Sequence, residues 1–465
     1  MIEFKRLQTN LSEIAPYLEK TTISFCDISL GVKYMWREDF LIDYAVVDNT
    51  LIMKESCPDY ENAFYYPIGD NVEKALSLIE KHCIKNNLPL LFCCIDNKTA
   101  VELCERYYKA EIYNDRAWSD YIYPVSQFLT YSGKKLAGQR NHVNKFKREY
   151  PNYKIERIDT KNLNRIREFL QEFERGTDFS VWSEAQEEKK VLSLVENLDN
   201  LSNVGIAITI ADKVVGFSVG ERIGDTLIVH IEKALKGYSG IYPTLAQAFV
   251  NAFYSDGIKF VNREEDCGDM GLRISKLQYH PIEIKQKNLV RAHTLFDKVE
   301  PNVVLTSERL TISAITEQDK QAYFDLYTNE QLNKWWGYDY NQDLGNNQPS
   351  PDYFYNFQNS LKEKKEEFSF AVRLDGKMIG ELVLHNFDFR GGVEMGFRFF
   401  SEYQGKGYAT ESALCLKKYV LESMGAKTLK SRCFKQNLPS KQLIERLGLK
   451  KCEETEQIYH FSQTF

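Results

Sequence analysis

The amino-acid sequence predicts an α/β (α+β) protein of tandem lobes, each with a mixed central sheet flanked by helices. Three observations carry this. The chain has 465 residues, more than one hydrophobic core usually organises, and at roughly 150 residues per domain it divides into about three. Apolar runs with strand-like character are interleaved with stretches of helical periodicity. One order of elements also occurs twice: "IAITIADKVVGFSVG" and "FAVRLDGKMIGELVL" are each a strand, a turn around Asp and Lys, and a strand reaching Gly216 or Gly380. In both cases another strand follows, then a pair of glycines (Gly237 and Gly240, or Gly405 and Gly407), a helix and a further apolar strand.

Taken in order, residues 1–130 form the first lobe. It contains the strand pieces of "FLIDYAVVDNTLIM", a helix from Val72 to Asn86 and the apolar strand "LPLLFCCI". Residues 131–300 form the second lobe. Its first segment, Gly133 to Arg148, holds six Lys or Arg and no carboxylate, with Leu136, Val143, Phe146 and Tyr150 on one helical face. The opposite face is positive, either a solvated surface or a site for phosphate, tRNA or an acidic lipid headgroup. A helical, acidic stretch runs from Ile155 to Asn197. After it come three strands with turns at Ala211-Asp212-Lys213 and Gly224-Asp225, read as a meander. A linker with exposed backbone is expected from Asp297 to Ser307, around Pro301, and residues 301–465 form the third lobe.

Apolar residues at 43% and charged residues at 27% suit a soluble globular protein, and 13% aromatic residues imply large cores or pockets. A net charge of -6 argues against coating nucleic acid with the whole surface, though a local basic patch is compatible. The ten cysteines include the neighbours Cys93 and Cys94, but none has CxxC or Cys/His spacing, so reduced core thiols and no metal site are expected. The opening residues "MIEFKRLQTN" lack a signal-peptide core, and no apolar run approaches the roughly 18 residues of a membrane span. A cytoplasmic location is the expectation.

The chemistry concentrates near the C-terminus. "VEMGFRFF" (Val393 to Phe400) reads as a strand, and Tyr408 to Met424 as a helix with Ala409, Ala413, Leu416, Val420 and Met424 at helical intervals. Between them "QGKG" places glycines at a helix N-terminus, where amides without intrahelical partners and the helix dipole favour an anion. On these residues alone a phosphate cradle and a plain tight turn both stand.

The run Gln404-Gly405-Lys406-Gly407-Tyr408-Ala409 resembles the Q/R-x-x-G-x-G/A signature of the GNAT N-acetyltransferase superfamily. "LTSERLTI", "DGKMIGELVL" and "QNLPSKQLIERLGL" resemble further parts of its ribosomal-protein-alanine acetyltransferase type, so the likeness spans Leu305 to Phe465. The resemblance implies acetyl-CoA as acyl donor and the primary amine of a small molecule, a protein N-terminus or a lysine as acceptor. It also implies that Gln404, Gly405, Lys406, Gly407, Tyr408 and Ala409 hold the pyrophosphate and that backbone around Met395 to Phe399, including Phe397 and Phe399, pairs with the pantetheine arm. Asn437 and Ser440 match an Asn-x-x-Ser that contacts the cofactor, with the Ser440 hydroxyl protonating the leaving thiolate; helix capping is the structural alternative. Glu394 matches a glutamate that takes the amine proton through water, or is an exposed strand carboxylate, and Glu456 is a second candidate. Ile444 stands where many members have a general-acid tyrosine, and Arg432 where some have a catalytic glutamate. Trp335, Trp336 and Tyr338 line either the acceptor cleft or a core cluster.

Residues 1–300 resemble a bacterial family related to the C-terminal lobe of phosphatidylglycerol lysyltransferase. The likeness rests on "YSGKKLAGQRNHVNKFKREYP", "GFSVGE", "HIEKALKGYSGIYP" and "VNREEDCGDMGLRISKLQYHP". It implies a pair of GNAT-like folds and, as an alternative activity, aminoacyl transfer from a charged tRNA held by the basic helix Lys134 to Arg148. A non-catalytic binding protein is the other alternative. Lys236-Gly237-Tyr238-Ser239-Gly240 lacks the full acetyl-CoA signature. "NREEDCG" (Asn262 to Gly268) groups three carboxylates ahead of Arg273, Lys276 and Tyr279, either a site for a cationic amine or an internal ion-pair network.

Overall fold

Among the described residues, strand-forming runs rich in Val, Ile, Phe and Tyr assemble into three mixed sheets of eight, seven and eight strands. The computed structural model describes residues 2–8, 10–21, 25–176, 182–336, 344 and 347–465. It divides into two compact units: Met1–Ile79, Leu91–Ala100 and Ile112–Val290 in the first, and Glu80–Leu90, Val101–Glu111 and Arg291–Phe465 in the second. Among the described residues no helix is long and apolar enough to cross a membrane.

In the first unit, one sheet contains Asp43–Val47, β1 (Thr50–Cys57), Tyr60–Phe64 and β2 (Leu90–Ile95) in that order. Tyr44, Leu51, Met53 and Ala63 on these strands enter one buried apolar cluster. The other sheet contains the meander β3 (Asn203–Ile210), β4 (Lys213–Ile223) and β5 (Thr226–Ala234), antiparallel throughout. Ala211 and Asp212, at φ 48° and 63°, make the tight reversal between β3 and β4. Helix α1 (Ala137–Glu149) buries Gln139, Val143 and Phe146, spaced four and three residues apart, and turns most of its cations to solvent. Two of the six cations are used locally: Arg140 Nη1 donates to Tyr131 O at 2.6 Å and Gly133 O at 3.1 Å, and Lys145 pairs with Glu149 at 3.8 Å. Helix α2 (Ile241–Phe253) follows β5 and buries Leu245, Phe249 and Val250.

In the second unit the sheet runs Val304–Thr306, Thr311–Ala314, β6 (Glu367–Leu374), β7 (Lys377–His385), β8 (Gly392–Phe399), β9 (Thr428–Phe434), Ile458–Thr464 and Lys450–Glu454. Helix α3 (Tyr408–Glu422) sets Ala413, Leu416 and Val420 against Ile379, Leu382, Val393 and Leu429 in one core. Burial of this kind stabilises by about 25 cal/mol per Å² of apolar surface. The linker expected from Asp297 to Ser307 is exposed at most positions, Pro301 in its turn among them, but Val299 and Val303 within it are buried in the same core. Just ahead of it Phe296 is also buried, its ring meeting Phe387 edge-on at 5.0 Å between centroids, so apolar anchors tie an otherwise exposed crossing to the core.

Candidate functional site

The glycine turn of the second unit is built for close approach. Gly405 and Gly407 have φ of 73° and 84°, a region where a side chain is strained, and Gly407 is the N-cap of α3. A Cβ on Gly405 would meet nothing within 4 Å, so the space in front of the turn is open. The first hydrogen bond of the helix runs from the Glu411 amide to Gly407 O at 3.0 Å. Among the described residues the amides from Gly405 to Thr410 have no protein acceptor. Gln404 Nε2 donates to Phe399 O at 2.9 Å, strapping the turn to the end of β8. Glu411 in the first helical turn would repel an anion. Arg309 neutralises it through its amide and Nε, both at 2.8 Å, and also donates to Lys406 O at 3.3 Å.

Beside the turn β8 and β9 part. They pair in parallel only from Gly392 to Glu394 with Thr428 to Lys430. Beyond this the Ser431 hydroxyl donates to Met395 O at 2.8 Å. Among the described residues, the edge of β8 from Gly396 to Phe399 has no bond to β9. Between the diverging strands lies a cavity of about 1190 Å³. Its wall includes Phe397, Phe399, Gln404, Gly405, Gly407, Tyr408, Ala409, Asn437, Ser440 and Glu394, which the structure therefore brings together. Glycine is required next to and in this wall: a Cβ on Gly380 would fall 2.4 Å from the ring of the wall residue Phe399, and one on Gly396 would fall 2.8 Å from Val383 and 3.2 Å from the Trp336 indole.

Other expected residues stand apart. The Lys406 side chain is not in the wall: its Nζ lies 5.7 Å from the Tyr403 ring centroid, leaving the backbone amide as its contribution. Glu456 is exposed in the turn before Ile458–Thr464 and is also outside the wall. Asn437 Oδ1 accepts from the Ser440 amide at 3.3 Å, so it caps helix α4 (Leu438–Arg446) while facing the cavity. Ile444 is buried in the core. Trp335 and Trp336 line the cavity, with Trp335 5.8 Å from the Phe434 ring; Tyr338 lies outside the described residues.

The titratable groups of this cavity form a row. Glu367 on β6 is opposite His385 on β7, and His385 is opposite Glu394 on β8, so all three share one sheet face and the cavity wall. Glu394 is engaged: Arg432 Nε lies at 3.1 Å, Asn386 Nδ2 donates at 2.9 Å, and His385 Nε2 is 3.9 Å away. Burial lowers the His385 pKa despite the nearby Glu394 charge, leaving a neutral imidazole near pH 7. Burial, with the Glu381 charge behind it, raises Glu367 to about 7. Glu381 itself holds the buried Arg398 at 2.7 Å. His385 and Glu367 were not expected from sequence. Their positions symmetric about the Asp375-Gly376 turn were the available signal.

The first unit carries the counterpart turn. Gly240, at φ 83°, is the N-cap of α2, but a Cβ there would fall 2.2 Å from His142 O, so backbone of α1 fills the space that is open at Gly405. The three carboxylates of "NREEDCG" part to different cations. Glu264 takes His230 Nδ1 at 2.7 Å, while Glu221 takes Nε2 at 2.9 Å. Burial opposes the imidazolium, yet the two carboxylates raise His230 to about 9. Asp266 accepts from Arg273 at 2.8 and 2.9 Å and from the Tyr121 hydroxyl at 2.6 Å, and the Arg273 bonds hold it well below the usual range. Glu265 faces Lys287 at 2.9 Å, and burial raises it to about 7. Lys287 also meets Asp27 and, at 2.8 Å, Asp120. Lys276 donates to Arg263 O at 2.6 Å, and Tyr279 stacks on Phe128 at 5.5 Å.

Comparison with known proteins places both units. Residues 23–290 match the family model for phosphatidylglycerol lysyltransferase, C-terminal, and residues 309–450 that of the acetyltransferase (GNAT) domain. The uncharacterized protein MYCGA3080 of Mycoplasmoides gallisepticum is 24% identical over 302 residues, covering 62% of this chain and 96% of its own. A crystal structure of a conserved protein of unknown function from Bacteroides thetaiotaomicron is similar at TM-score 0.58 and 27% identity, over 63% of this chain and 99% of its own. The uncharacterized N-acetyltransferase YnaD of Bacillus subtilis is 27% identical over 89 residues, 19% of this chain and 52% of that relative. The first match spans more than half of the chain, so the protein belongs to the phosphatidylglycerol lysyltransferase C-terminal family, and its GNAT domain makes it an acyl-CoA-dependent N-acetyltransferase.

Proposed function

We propose that the domain spanning residues 301–465 transfers acetyl from acetyl-CoA to a primary amine. The observation that carries this is the run of amides from Gly405 to Thr410, free of protein acceptors among the described residues, at the start of α3 beside the open edge of β8. A diphosphate suits these donors because the helix dipole and the unpaired N–H groups act together. Gln404, Gly405, Lys406, Gly407, Tyr408 and Ala409 would hold it, Phe397 and Phe399 would flank the acyl-bearing arm, and Asn437 and Ser440 would close the other side. Bound acetyl-CoA supplies an acyl group activated as a thioester.

An alkylammonium must lose a proton before it can attack. The neutral imidazole of His385 and the carboxyl group of Glu367 are cavity groups that can take it, while Glu394, engaged by Arg432, balances the charge His385 would gain. Ser440, also in the cavity wall, carries a hydroxyl from which a proton can be given. The aromatic wall of Tyr327, Trp335, Trp336 and Phe357 suits the carbon skeleton of an amine-bearing small molecule, a protein N-terminus or a lysine side chain. Calorimetry with acetyl-CoA and CoA tests the donor site, and a screen of amines and peptides for thiol release tests the acceptor. Absence of heat with both nucleotides would rule the reading out.

A further inference from the structure

A second cavity, of about 300 Å³, lies within the first unit, away from the groups assigned to acyl transfer. Glu55, Cys57, Tyr60, Tyr65, Cys93 and Cys94 are among its lining residues. Successive side chains of an extended strand point to opposite faces, so neighbouring cysteines normally separate. In β2 they do not. Cys94 has φ 53°, in the left-handed region that non-glycine residues seldom occupy, and both thiols line the same cavity. Backbone strain of this kind persists where the surroundings hold it, and it gathers at functional sites. The two sulfurs and a carboxylate oxygen of Glu55, on β1, lie within 4.8 Å of one another.

We propose that Cys93, Cys94 and Glu55 bind a zinc ion, leaving its fourth position toward the cavity. Two thiolates and a carboxylate are a donor set that zinc accepts in tetrahedral geometry, with bonds of about 2.3 Å to sulfur and about 2.1 Å to oxygen. Thiolates disfavour magnesium and calcium. Tetrahedral closure needs ligand atoms roughly 3.5–3.8 Å apart, so no pair has to close by more than about 1.3 Å. The partners of Glu55 orient it: the Tyr60 hydroxyl donates to Oε1 at 2.5 Å and the Tyr65 hydroxyl to Oε2, which leaves a lone pair on each oxygen.

Charge also balances. Lys33 is buried, with Nζ 3.8 Å from Glu55 Oε2 and 3.5 Å from the Tyr65 ring centroid. Without metal the site holds two neutral thiols and the Glu55–Lys33 pair. On loading, two S–H bonds break, two Zn–S bonds form and two protons leave to solvent. The ion then matches the two thiolates, and Lys33 still matches Glu55, so neither state buries an uncompensated charge. The neighbouring group of Cys26, Asp27, Asp120 and Glu265 differs, because the Lys287 ammonium already occupies its centre. Sequence spacing gave no warning of the Glu55 site, because its ligands come from two strands and strand alternation would separate the two cysteines.

Titration of the full chain with Co²⁺ tests the proposal. One equivalent should give thiolate-to-cobalt absorption and tetrahedral d–d bands, displaced by Zn²⁺ with release of about two protons per zinc in the metal-free titration. Cys93→Ser and Cys94→Ser should each remove the thiolate band. Because a core variant can fail to fold, zinc K-edge absorption on the unsubstituted protein gives a second reading, with a shell of two sulfurs at about 2.3 Å expected. No thiolate band, a band unchanged in the double serine variant, or a zinc shell of nitrogen and oxygen alone would overturn it.

Discussion

Two glycine turns, one in each unit, have nearly the same backbone and opposite surroundings. Gly240 and Gly407 are both helix N-caps, with φ of 83° and 84°. At Gly240 a carbonyl of α1 stands 2.2 Å from where a Cβ would be, whereas Gly407 would meet only the end of the Arg309 side chain, at 3.4 Å. The lesson is that a left-handed glycine before a helix records how the chain turns. Whether it becomes a binding site depends on what the rest of the fold packs in front of it. Two histidines, one in each unit, differ in the same spirit: His230, between two carboxylates, is charged, and His385, beside a carboxylate already engaged by arginine, is neutral.

The sharpest way to break this comparison is Gly240→Ala. Its Cβ meets backbone that cannot rotate away, so steric overlap and left-handed strain together should cost about 4 kcal/mol in denaturant unfolding. A cost under 1 kcal/mol would show the turn to be open. Next comes pH. His230 has a folded pKa raised to about 9, so its contribution is complete below its unfolded pKa of about 6.5 and is lost as pH rises through 9, on the order of 3 kcal/mol. His385 has a lowered pKa, so its contribution is complete above about 6.5 and is lost in acid. Hydrogen exchange read locally should therefore quicken around His230 at alkaline pH and around His385 at acid pH.

Gly407→Asp ranks third. It puts a carboxylate where the diphosphate is proposed to sit and should weaken acetyl-CoA binding about 100-fold, while left-handed strain costs about 1–2 kcal/mol of stability, far less than at Gly240, as calorimetry and a melting curve would show. His385→Gln should slow acetyl transfer about 30-fold and remove the acid limb of the pH–rate profile, while Glu394→Gln has the milder effect. Equal effects of the two would return the proton to Glu394. The smallest change is Arg309→Ala. It uncovers Glu411 and should weaken acetyl-CoA binding about fivefold, a loss that shrinks with added salt.

Most of the fold was legible because period and punctuation agree. The meander between Asn203 and Ala234, the helix after Gly407 and the strand before it all follow from alternation, helical spacing and turn glycines. The burial of Phe296, Val299 and Val303 was not, since a proline-marked linker and a core-anchored crossing share the same composition. At the site, Gln404 to Ala409 could be picked out by their pattern. The row Glu367, His385 and Glu394 required strand register, and the plug at Gly240 required knowing that His142, distant in sequence, returns to that turn. Contacts across large sequence separations leave no local trace.

The bare position at Gly396 carries a consequence for how this domain can change. A Cβ there would come within 3.2 Å of the Trp336 indole, and both residues line the cavity whose aromatic side is proposed to take the acceptor. Exchanging that ring for a smaller group would re-cut this part of the chamber for a different amine while the turn from Gln404 to Ala409, on other elements, kept its shape as the proposed nucleotide grip.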